Sequence, residues 1–337
     1  MPEAMVQRYD TLGPALWFTT GSPPLGKILG DRVSKLVLFG RTSREEAATA
    51  PEPASSLPPQ SYELPKPMLA RAFWAFLRGK RRDTWTDASR AISTLQNKPV
   101  IHGLQHVPEQ GPIVFLPNHY ERKDAVWVGW GAMALTEAVA RARNVSRLGR
   151  MHWVMTDTWA DCFIGPFHVD PRYLGWVLKG FGNIYGIIRM PAHDLPNHTT
   201  QRNRSARSLL EIFDYLKAGD CVAVHPEAGG FETLIQPPAG AGRVVSCLDR
   251  RNVTLIPVGI YEENDHLVVN FGAPIERGTF DGLDDRASAD TIMLRIAALV
   301  PEETRGVFAE RYAEQVEREQ QAWREQHEAK GHLRLEA

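Results

Sequence analysis

The sequence is poor in cysteine, and its positive and negative charges nearly balance. Its three cysteines, Cys162, Cys221 and Cys247, are far apart, and no two of them form a Cys-x-x-Cys motif. This spacing favours reduced thiols in a cytoplasmic protein and gives no sign of a disulfide framework or a zinc site. The formal net charge of −1 argues against a general nucleic-acid binder, which would be strongly basic. We therefore expect no metal and no nucleic-acid partner.

Long hydrophobic runs are also missing. No uninterrupted apolar stretch reaches the ~18–20 residues that a membrane-spanning helix needs. The first residues include Glu3 and lack a basic region followed by an apolar core, unlike a signal peptide. The 337-residue chain is nonetheless 43% hydrophobic, enough for a sizeable core. We expect a cytoplasmic protein whose membrane contact, at the inner face, is peripheral.

Short apolar segments alternate with helical ones through the middle of the chain. Strands are predicted at 100–104, 113–116, 151–155, 184–189, 221–224, 253–260 and 267–271. Helices are predicted at 84–97, 125–142, 157–167, 173–179, 205–216 and 289–330. Such alternation predicts an α/β fold with a mostly parallel central sheet covered by helices on both faces. Residues 108–112 are expected to bring the chain into the strand at 113–116 as a hairpin or short connection.

The ends of the chain differ from this middle. We divide the sequence into an N-terminal extension with a Pro-rich linker (1–67), a helical segment (68–98), an α/β domain (99–280) and C-terminal helices (281–337). The extension contains a short amphipathic pattern at 25–39, although a disordered tail is an equal alternative. The aromatic and basic stretch 71–82 suits either an anionic membrane surface or core packing with a solvated basic end.

A polar corner follows the strand predicted at 113–116. It contains Asn118, His119 and Asp124, before a segment with helical character. A neutral imidazole can take a proton from an alcohol, and a carboxylate on its other nitrogen fixes the tautomer. The His-x4-Asp pair therefore predicts a general base that acts on the substrate's own hydroxyl. His152 and Asp157 have the same spacing inside a predicted strand, so spacing alone does not choose between the pairs.

Two further polar corners end predicted strands. Arg189 closes one strand, and His225-Pro226-Glu227 follows another. Because the carboxyl ends of parallel strands meet at one edge of a sheet, we expect His119, Arg189 and Glu227 to converge there. Taken singly, Arg189 is better explained by a surface salt bridge, and Glu227 by a turn or helix cap; the three corners in this order favour a site.

These corners resemble four sequence blocks of the glycerolipid acyltransferases of the lysophosphatidic acid acyltransferase type. The resemblance covers roughly residues 100–274. The first block is Asn-His-x4-Asp at 118–124, and the second is the glycine, apolar strand and Arg at 182–189. The third, aromatic-Pro-Glu-Gly, is matched by 224–229, and the fourth, an apolar run with a Pro, by 255–258. The third block departs from the family's Phe-Pro-Glu-Gly-Thr-Arg, because it reads His-Pro-Glu-Ala-Gly-Gly and has no Arg.

The resemblance implies an acyltransferase domain at 99–280 with a glycerol-3-phosphate acyltransferase-like fold and a role in phospholipid biosynthesis. His119 and Asp124 would be the catalytic dyad. Arg189 would bind an acceptor phosphate and Glu227 acceptor hydroxyls, and the predicted substrate-binding set also includes Asn118, Pro226 and Gly229. The donor would be acyl-CoA or acyl carrier protein, with no other cofactor, and the acceptor would be lipid-like. The resemblance also implies that the region of His152 is a structural strand.

Three alternatives stay open from the sequence. The altered third block is compatible with an acyltransferase for a non-phosphate acceptor, or with a non-catalytic lipid- or acyl-binding homologue. A thioester hydrolase, in which His119 activates water, is the third. The sequence leaves the oligomeric state and the acyl chain length undetermined.

Overall fold

The protein is built around one seven-stranded sheet. The computed structural model describes residues 15–16, 60–122, 125–143, 150–156, 162–164, 167–169, 171–191 and 198–335. The strands of the main sheet, in chain order, are β2 (Val100–His102), β3 (Ile113–Pro117), β4 (Met151–Thr156), β7 (Ile188–Met190), β8 (Cys221–Ala223), β9 (Thr254–Glu263) and β10 (His266–Phe271). A small three-stranded sheet contains β1 (Ala15–Leu16), β5 (Cys162–Ile164) and β6 (Phe167–Val169).

The strand order in the main sheet is β2-β10-β9-β3-β8-β4-β7. Five of the six neighbouring pairs are parallel, and the β9–β10 hairpin is the antiparallel one. The hairpin turns at Asn264 and Asp265, which both have the positive φ that a tight two-residue turn requires. The predicted α/β fold with a mostly parallel sheet is therefore confirmed.

Helices cover both faces of this sheet. They are α1 (Lys66–Leu77), α2 (Thr84–Thr94), α3 (Val128–Ala142), α4 (Pro171–Tyr185), α5 (His198–Lys217), α6 (Ala241–Asp249), α7 (Asp285–Ala297) and α8 (Ala309–Leu335). Neighbouring residues of β4 show the two layers. The His152 ring stacks on Tyr215 of α5, whereas Trp153 Nε1 donates to Thr136 Oγ1 of α3. Because successive side chains of a strand point to opposite faces, α3 and α5 lie on opposite sides of the sheet.

The buried strands explain why the sheet needs two covering layers. All five residues of β3 are buried, and β8 is buried throughout. Parallel strands that are apolar on both faces must be enclosed on both faces. The C-terminal part joins the same core, since Ile292, Met293 and Ile296 of α7 are fully buried in it. The division of the chain into domains stays a prediction.

Segment 108–112 is a short connection into β3 and not a hairpin, because β2 pairs with β10 and not with β3, so one of the two expected forms is confirmed. Two local predictions were wrong within the described residues. The predicted helix at 157–167 overlaps strands β5 and β6. The strand predicted at 184–189 begins only at Ile188, because Ile184 and Tyr185 complete helix α4. In each case pairing or packing with distant residues overrode a local apolar pattern.

The termini also need correction. Helix α1 begins at Lys66, inside the predicted linker, with Pro67 in its first turn, where proline is well tolerated. The C-terminal helices predicted at 281–337 are α7 and α8, and the helical stretch 289–330 is interrupted between them by two 3₁₀ turns, at Glu302–Thr304 and Gly306–Phe308. Pro301 and Gly306 interrupt the helical pattern there. The amphipathic pattern at 25–39 and the linker up to residue 59 lie outside the described residues.

Candidate active site

The three polar corners lie at the same edge of the sheet. Strands β3, β8, β4 and β7 are neighbours in that order and run parallel, so their carboxyl ends share one edge. His119 follows β3 and Glu227 follows β8, which makes them neighbours. Arg189 belongs to β7, three strand spacings from β3, or roughly 14 Å at ~4.8 Å per spacing. The prediction that the three corners share one edge is confirmed. Arg189 and His119 are nevertheless too far apart along that edge for direct contact.

The Glu227 carboxylate fixes the backbone around His119. Oε2 of Glu227 accepts the His119 backbone N–H at 2.7 Å, and Oε1 accepts the Ile235 N–H at 2.8 Å. The His119 carbonyl in turn accepts the Phe231 N–H at 3.2 Å. The loop after β8 therefore holds His119 at both its N–H and its C=O. Two converging hydrogen bonds to a buried carboxylate leave this part of the backbone little freedom.

Burial sets the electrostatics of Glu227. Its side chain is only 4% exposed, and desolvation raises the pKa of its carboxyl group to about 7, against the opposing effect of the two N–H donors. The carboxyl group therefore keeps its proton to a higher pH than an exposed glutamate does. The prediction that Glu227 binds acceptor hydroxyls stays a prediction. In the structure, both of its carboxylate oxygens accept backbone N–H groups.

The His119 ring is suited to act as a base. Desolvation lowers the pKa of the imidazole to about 4, so the ring is neutral at physiological pH. Nδ1 is buried and has no hydrogen-bond partner among the described residues. The residue as a whole is partly exposed, which leaves Nε2 as the nitrogen that can face a substrate. An imidazole that presents an unprotonated Nε2 can accept a proton from a hydroxyl or from water.

A second imidazole, His225, packs against the first. The two ring centroids are 4.6 Å apart, and the His225 ring also stacks on Trp153. Nδ1 of His225 lies 3.2 and 3.1 Å from the carbonyl oxygens of Pro117 and Asn118, which can only accept, so Nδ1 carries the proton. Burial, and then the neighbouring His119, hold the pKa of His225 well below its ordinary value. The His225 side chain is therefore uncharged and lines the site beside His119.

The residues after His119 are tied to strand β9 through Glu262. Arg122 donates to the Glu262 carboxylate from both Nε and Nη2, at 2.7 and 3.2 Å. The hydroxyls of Tyr62 and Tyr120 donate to the same carboxylate at 2.9 and 3.1 Å. Four donors on one carboxylate fix the direction in which the chain leaves His119. Asp124, the predicted dyad partner, lies outside the described residues.

The other predicted substrate-binding residues are Asn118, Pro226, Gly229 and Arg189, and the structure shows their contacts within the protein. Asn118 is 2% exposed, and its side-chain amide donates to the Ile260 carbonyl at 2.8 Å and accepts the Ile260 N–H at 2.6 Å, like a further rung of the β3–β9 ladder. Pro226 is buried, and Gly229 is partly exposed in the loop. The Arg189 stem packs against Gly182 of α4, and no carboxylate of the described residues forms an ion pair with its guanidinium. Their predicted contacts with substrate stay predictions.

The structure places Gly230 and Glu121 next to the His119 ring, and the sequence assigned no contact with that ring to either residue. A Cβ on Gly230 would collide with Nδ1 of His119 at 2.5 Å, and with Oε2 of Glu121 at a still shorter distance. Glu121 lies two residues after His119, and Gly230 closes the third block. Both were within the recognised blocks, but only the pairing of β3 with β8 brings them together.

His152, the alternative to His119 with the same spacing, has a structural role. It lies in β4, as the resemblance implied, and is 5% exposed. Its Nε2 is 2.9 Å from Asp220 Oδ2, and its Nδ1 is 2.8 Å from the Gly186 carbonyl. Both nitrogens are thus occupied by structural partners. Across the described residues, no group of three or more His, Cys, Asp or Glu side chains is arranged to hold a metal ion.

Comparison with known proteins gives a structural likeness and no match of sequence. No protein-family model matches the sequence, and no curated protein matches it. Among solved structures, the chain is similar to the 1-acyl-sn-glycerophosphate (LPA) acyltransferase PlsC from Thermotoga maritima. The TM-score is 0.40 and the sequence identity 12%, over 68% of this chain and 83% of that chain. A likeness at this level does not bear on activity, so the function must be argued from the residues of the site.

Gly230 should be far less tolerant of a side chain than Gly229. An added methyl at residue 230 displaces the His119 ring, whereas at residue 229 the nearest side-chain atoms are 3.5 and 3.6 Å away, an ordinary van der Waals distance. We expect Gly230→Ala to lower turnover about 100-fold, the effect of a misplaced base. Gly229→Ala should keep the wild-type melting temperature. Wild-type turnover by Gly230→Ala would contradict this placement.

Replacement of Glu227 by Gln should cost stability in a pH-dependent way. The Gln amide can accept only one of the two N–H groups, so the variant should be less stable at pH 5 by about 1–3 kcal/mol. In wild type the folded-state pKa is raised, so stability is lost as pH rises from 4.5 to about 7. Gln does not titrate, and the gap between the two proteins should therefore narrow from pH 5 to 7.5. Denaturant unfolding at several pH values measures this, and a gap that widens excludes a raised pKa.

Proposed function

We propose that this protein is an O-acyltransferase that moves a fatty acyl group from a thioester, acyl-CoA or acyl carrier protein, to a hydroxyl of a glycerophospholipid precursor. The observation that carries the proposal is the His119 imidazole. It is neutral at physiological pH, its backbone is held by Glu227 and Phe231, and it stands at the sheet edge. Such a group meets the requirement for a general base in direct transfer to an alcohol.

In the proposed reaction, the acceptor hydroxyl gives its proton to Nε2 of His119 while its oxygen attacks the thioester carbonyl carbon. The tetrahedral intermediate then collapses with cleavage of the carbon–sulfur bond. The leaving thiolate takes the proton back from the imidazolium, so the enzyme returns to its starting state. The low pKa of His119 helps the last step, because a buried imidazolium is a strong acid.

The developing oxyanion needs hydrogen-bond donors near His119. The backbone N–H groups of Gly229 and Gly230 donate to no described residue and belong to the loop that contacts His119. Preorganised backbone donors at this position are the usual means of stabilising a tetrahedral intermediate. We assign them this role as part of the proposal.

A second acceptor class, a neutral alcohol without a phosphate, is favoured by one observation. The groups in contact with His119 are the carboxyl group of Glu227 and the neutral ring of His225, and the third block contributes no cation. Among the described residues at this edge, Arg122 is paired with Glu262, and the arginine without a carboxylate partner is Arg189, three strands away. An acceptor phosphate would have to extend to Arg189, whereas a neutral lipid alcohol needs no such contact.

His119 and His152 form a matched pair for testing the proposal. We expect His119→Ala to lower acyl transfer at least ~100-fold, because the base is lost, with little change in melting temperature. His152→Ala should instead destabilise the fold by about 2–4 kcal/mol, because it removes a buried ring and leaves Oδ2 of Asp220 and the Gly186 carbonyl without their partner. The variant should keep its activity below its melting temperature. Thiol release from acyl-CoA, with and without a lysolipid acceptor, measures the activity of both variants, and thermal unfolding measures their stability.

Near-wild-type turnover by His119→Ala would overturn the assignment of the base. Thiol release that does not depend on the acceptor would point to a hydrolase. Absence of thiol release by the wild-type protein, combined with saturable acyl-CoA binding, would favour the non-catalytic homologue.

Peripheral membrane contact is part of the proposal, and an exposed surface on α1 and α4 supports it. This aromatic–basic patch consists of Trp74 and Leu77 of α1, Arg78 at the C-cap of α1, and Trp176 and Lys179 of α4. Trp74 and Trp176 are 56% and 61% exposed, and Phe76 links the helices by packing edge-on against Trp176. Exposed tryptophans beside basic residues suit the interface of an anionic bilayer. No helix in the described part of the chain combines the length and apolar character needed to cross a membrane.

Removal of the patch should weaken vesicle binding without loss of the fold. We expect the double variant Trp74→Ser/Trp176→Ser to bind phosphatidylglycerol vesicles at least ~10-fold more weakly in sedimentation assays, because both rings lose their place in the interface. Leu210→Ser is the control, since Leu210 is 63% exposed on α5, on the opposite face of the sheet. Equal binding by all three proteins would exclude this patch as the membrane contact.

A further inference from the structure

Glu121 carries a carboxylate that the proposed reaction does not use. The residue is partly exposed, and within the described part of the chain its side chain makes no hydrogen bond and no ion pair. Burial raises the pKa of its carboxyl group, and no cation opposes this effect. A carboxyl group in this state gains free energy from a positively charged partner, which favours its ionised form.

Glu121 lies on the same side of its segment as the candidate base. Tyr120 pairs with Phe231 as in a parallel sheet. The Phe231 N–H donates to the His119 carbonyl, and the Phe231 carbonyl accepts the Glu121 N–H, each at 3.2 Å. Because side chains alternate along such an extended segment, those of His119 and Glu121 lie on one side and that of Tyr120 on the other.

The lack of a side chain at Gly230 brings the carboxylate close to the base. Oε2 of Glu121 and Cε1 of His119 both lie within 2.7 Å of the position that a Cβ on Gly230 would occupy, so they are at most ~5 Å apart. Cε1 is bonded to Nε2, the nitrogen that takes the hydroxyl proton in the proposed reaction. One further bond of ~1.3 Å puts the carboxylate at most roughly 6.5 Å from that nitrogen.

The other charged groups near the base already have partners. Arg122 forms an ion pair with Glu262, and both oxygens of Glu227 accept backbone N–H groups. The His225 ring beside His119 is uncharged. Among the described residues, the ionised Glu121 thus faces the site without a counter-charge, and a bound substrate is the remaining source of one.

The chemistry of the two substrates decides which of them supplies that charge. An acyl thioester has no cationic group near its carbonyl carbon, so the cation must belong to the acceptor. An ammonium group on the carbon next to the hydroxyl carbon lies ~3–4 Å from the hydroxyl oxygen. With a hydrogen bond of ~2.8 Å at each end, such an amino alcohol spans the distance from Nε2 of His119 to the Glu121 carboxylate.

We propose that Glu121 is a specificity-determining residue whose carboxylate binds the ammonium group of a lipid acceptor that carries its amine next to the reacting hydroxyl. This inference rests on the proposed function, in which His119 is the base, and it adds a charge to the acceptor class without a phosphate. The ion pair holds the hydroxyl at Nε2. The ammonium group keeps its proton, and the bonds that form and break are those of the proposed reaction. A neutral lipid alcohol reaches the same nitrogen without the ion pair and is a poorer substrate.

Two long-chain alcohols test the proposal on the full-length protein. One carries a dimethylammonium group on the carbon next to the hydroxyl carbon, and the other an isopropyl group in the same place, so they differ in charge and little in shape. A tertiary amine cannot form an amide, so the ester is the acylated product of both. With acyl-CoA as donor, we expect wild type to show a kcat/KM at least ~10-fold higher for the ammonium alcohol. Equal values would overturn the proposal.

Glu232→Gln is the matched control for Glu121→Gln. Glu232 is an exposed carboxylate of the loop next to Phe231, so its variant makes the same chemical change away from the base. The preference for the ammonium alcohol should fall to within about twofold in Glu121→Gln, since a neutral amide gains little from an ammonium group. Glu121→Asp should keep part of the preference, and Glu232→Gln all of it. A preference that survives in Glu121→Gln, or is lost equally in both Gln variants, would overturn the role of Glu121.

Binding without turnover keeps this proposal distinct from the proposed function. In His119→Ala, which lacks the base, calorimetry should find the ammonium alcohol bound ~10-fold more tightly than the isopropyl alcohol. The double variant His119→Ala/Glu121→Gln should bind both alcohols equally. Selective binding that depends on Glu121, combined with no ester from wild type, would contradict acyl transfer and support the ammonium site. Ester formation without selective binding would support acyl transfer and overturn this inference.

Discussion

The site depends on one buried carboxylate that bridges two segments of backbone. Glu227, after β8, accepts the N–H of His119, after β3, and the N–H of Ile235 beyond its own loop. Its burial is unfavourable for an ionised carboxyl group, as its raised pKa shows, and the two N–H donors offset part of that cost. Burial of Glu227 therefore lowers the stability of the fold, and its hydrogen bonds fix the orientation of His119. Catalytic groups often require this kind of preorganisation.

The arrangement follows from the sheet. β3 and β8 are parallel neighbours, so the loops at their carboxyl ends lie side by side. Asn118 extends the pairing of β3 with β9 by one side-chain rung, and Glu262 fixes the chain just beyond His119. Strands β3, β8 and β9 thus determine the position of the His119 imidazole. In this view Ala228, which has a φ of +54° where the resembled family has glycine, is a strained point of the same loop.

Much of the architecture could be predicted from the sequence, because apolar strands alternating with helices admit few topologies. The common edge of the three corners followed from parallel pairing alone. The sequence could not show that Glu227 binds backbone rather than substrate, since an acidic residue after a strand suits either role. Nor could it show the proximity of Glu121 to Gly230, residues 109 positions apart that only the β3–β8 pairing brings together. The strand at β5 was missed because its pairing partners are β1 and β6 and its sequence has no clear alternation.

Product analysis by mass spectrometry tests the central claim, acyl transfer from a thioester to an alcohol at His119, most directly. Purified protein would be given mixed acyl-CoAs with lysophosphatidic acid, and separately with neutral lipid alcohols. The account predicts a new ester, heavier than the acceptor by one acyl group less one hydrogen, in a His119-dependent reaction. The acceptor that gains the acyl group decides between the phosphate and neutral classes. Free fatty acid as the sole product, or no product with any acceptor, would contradict the account.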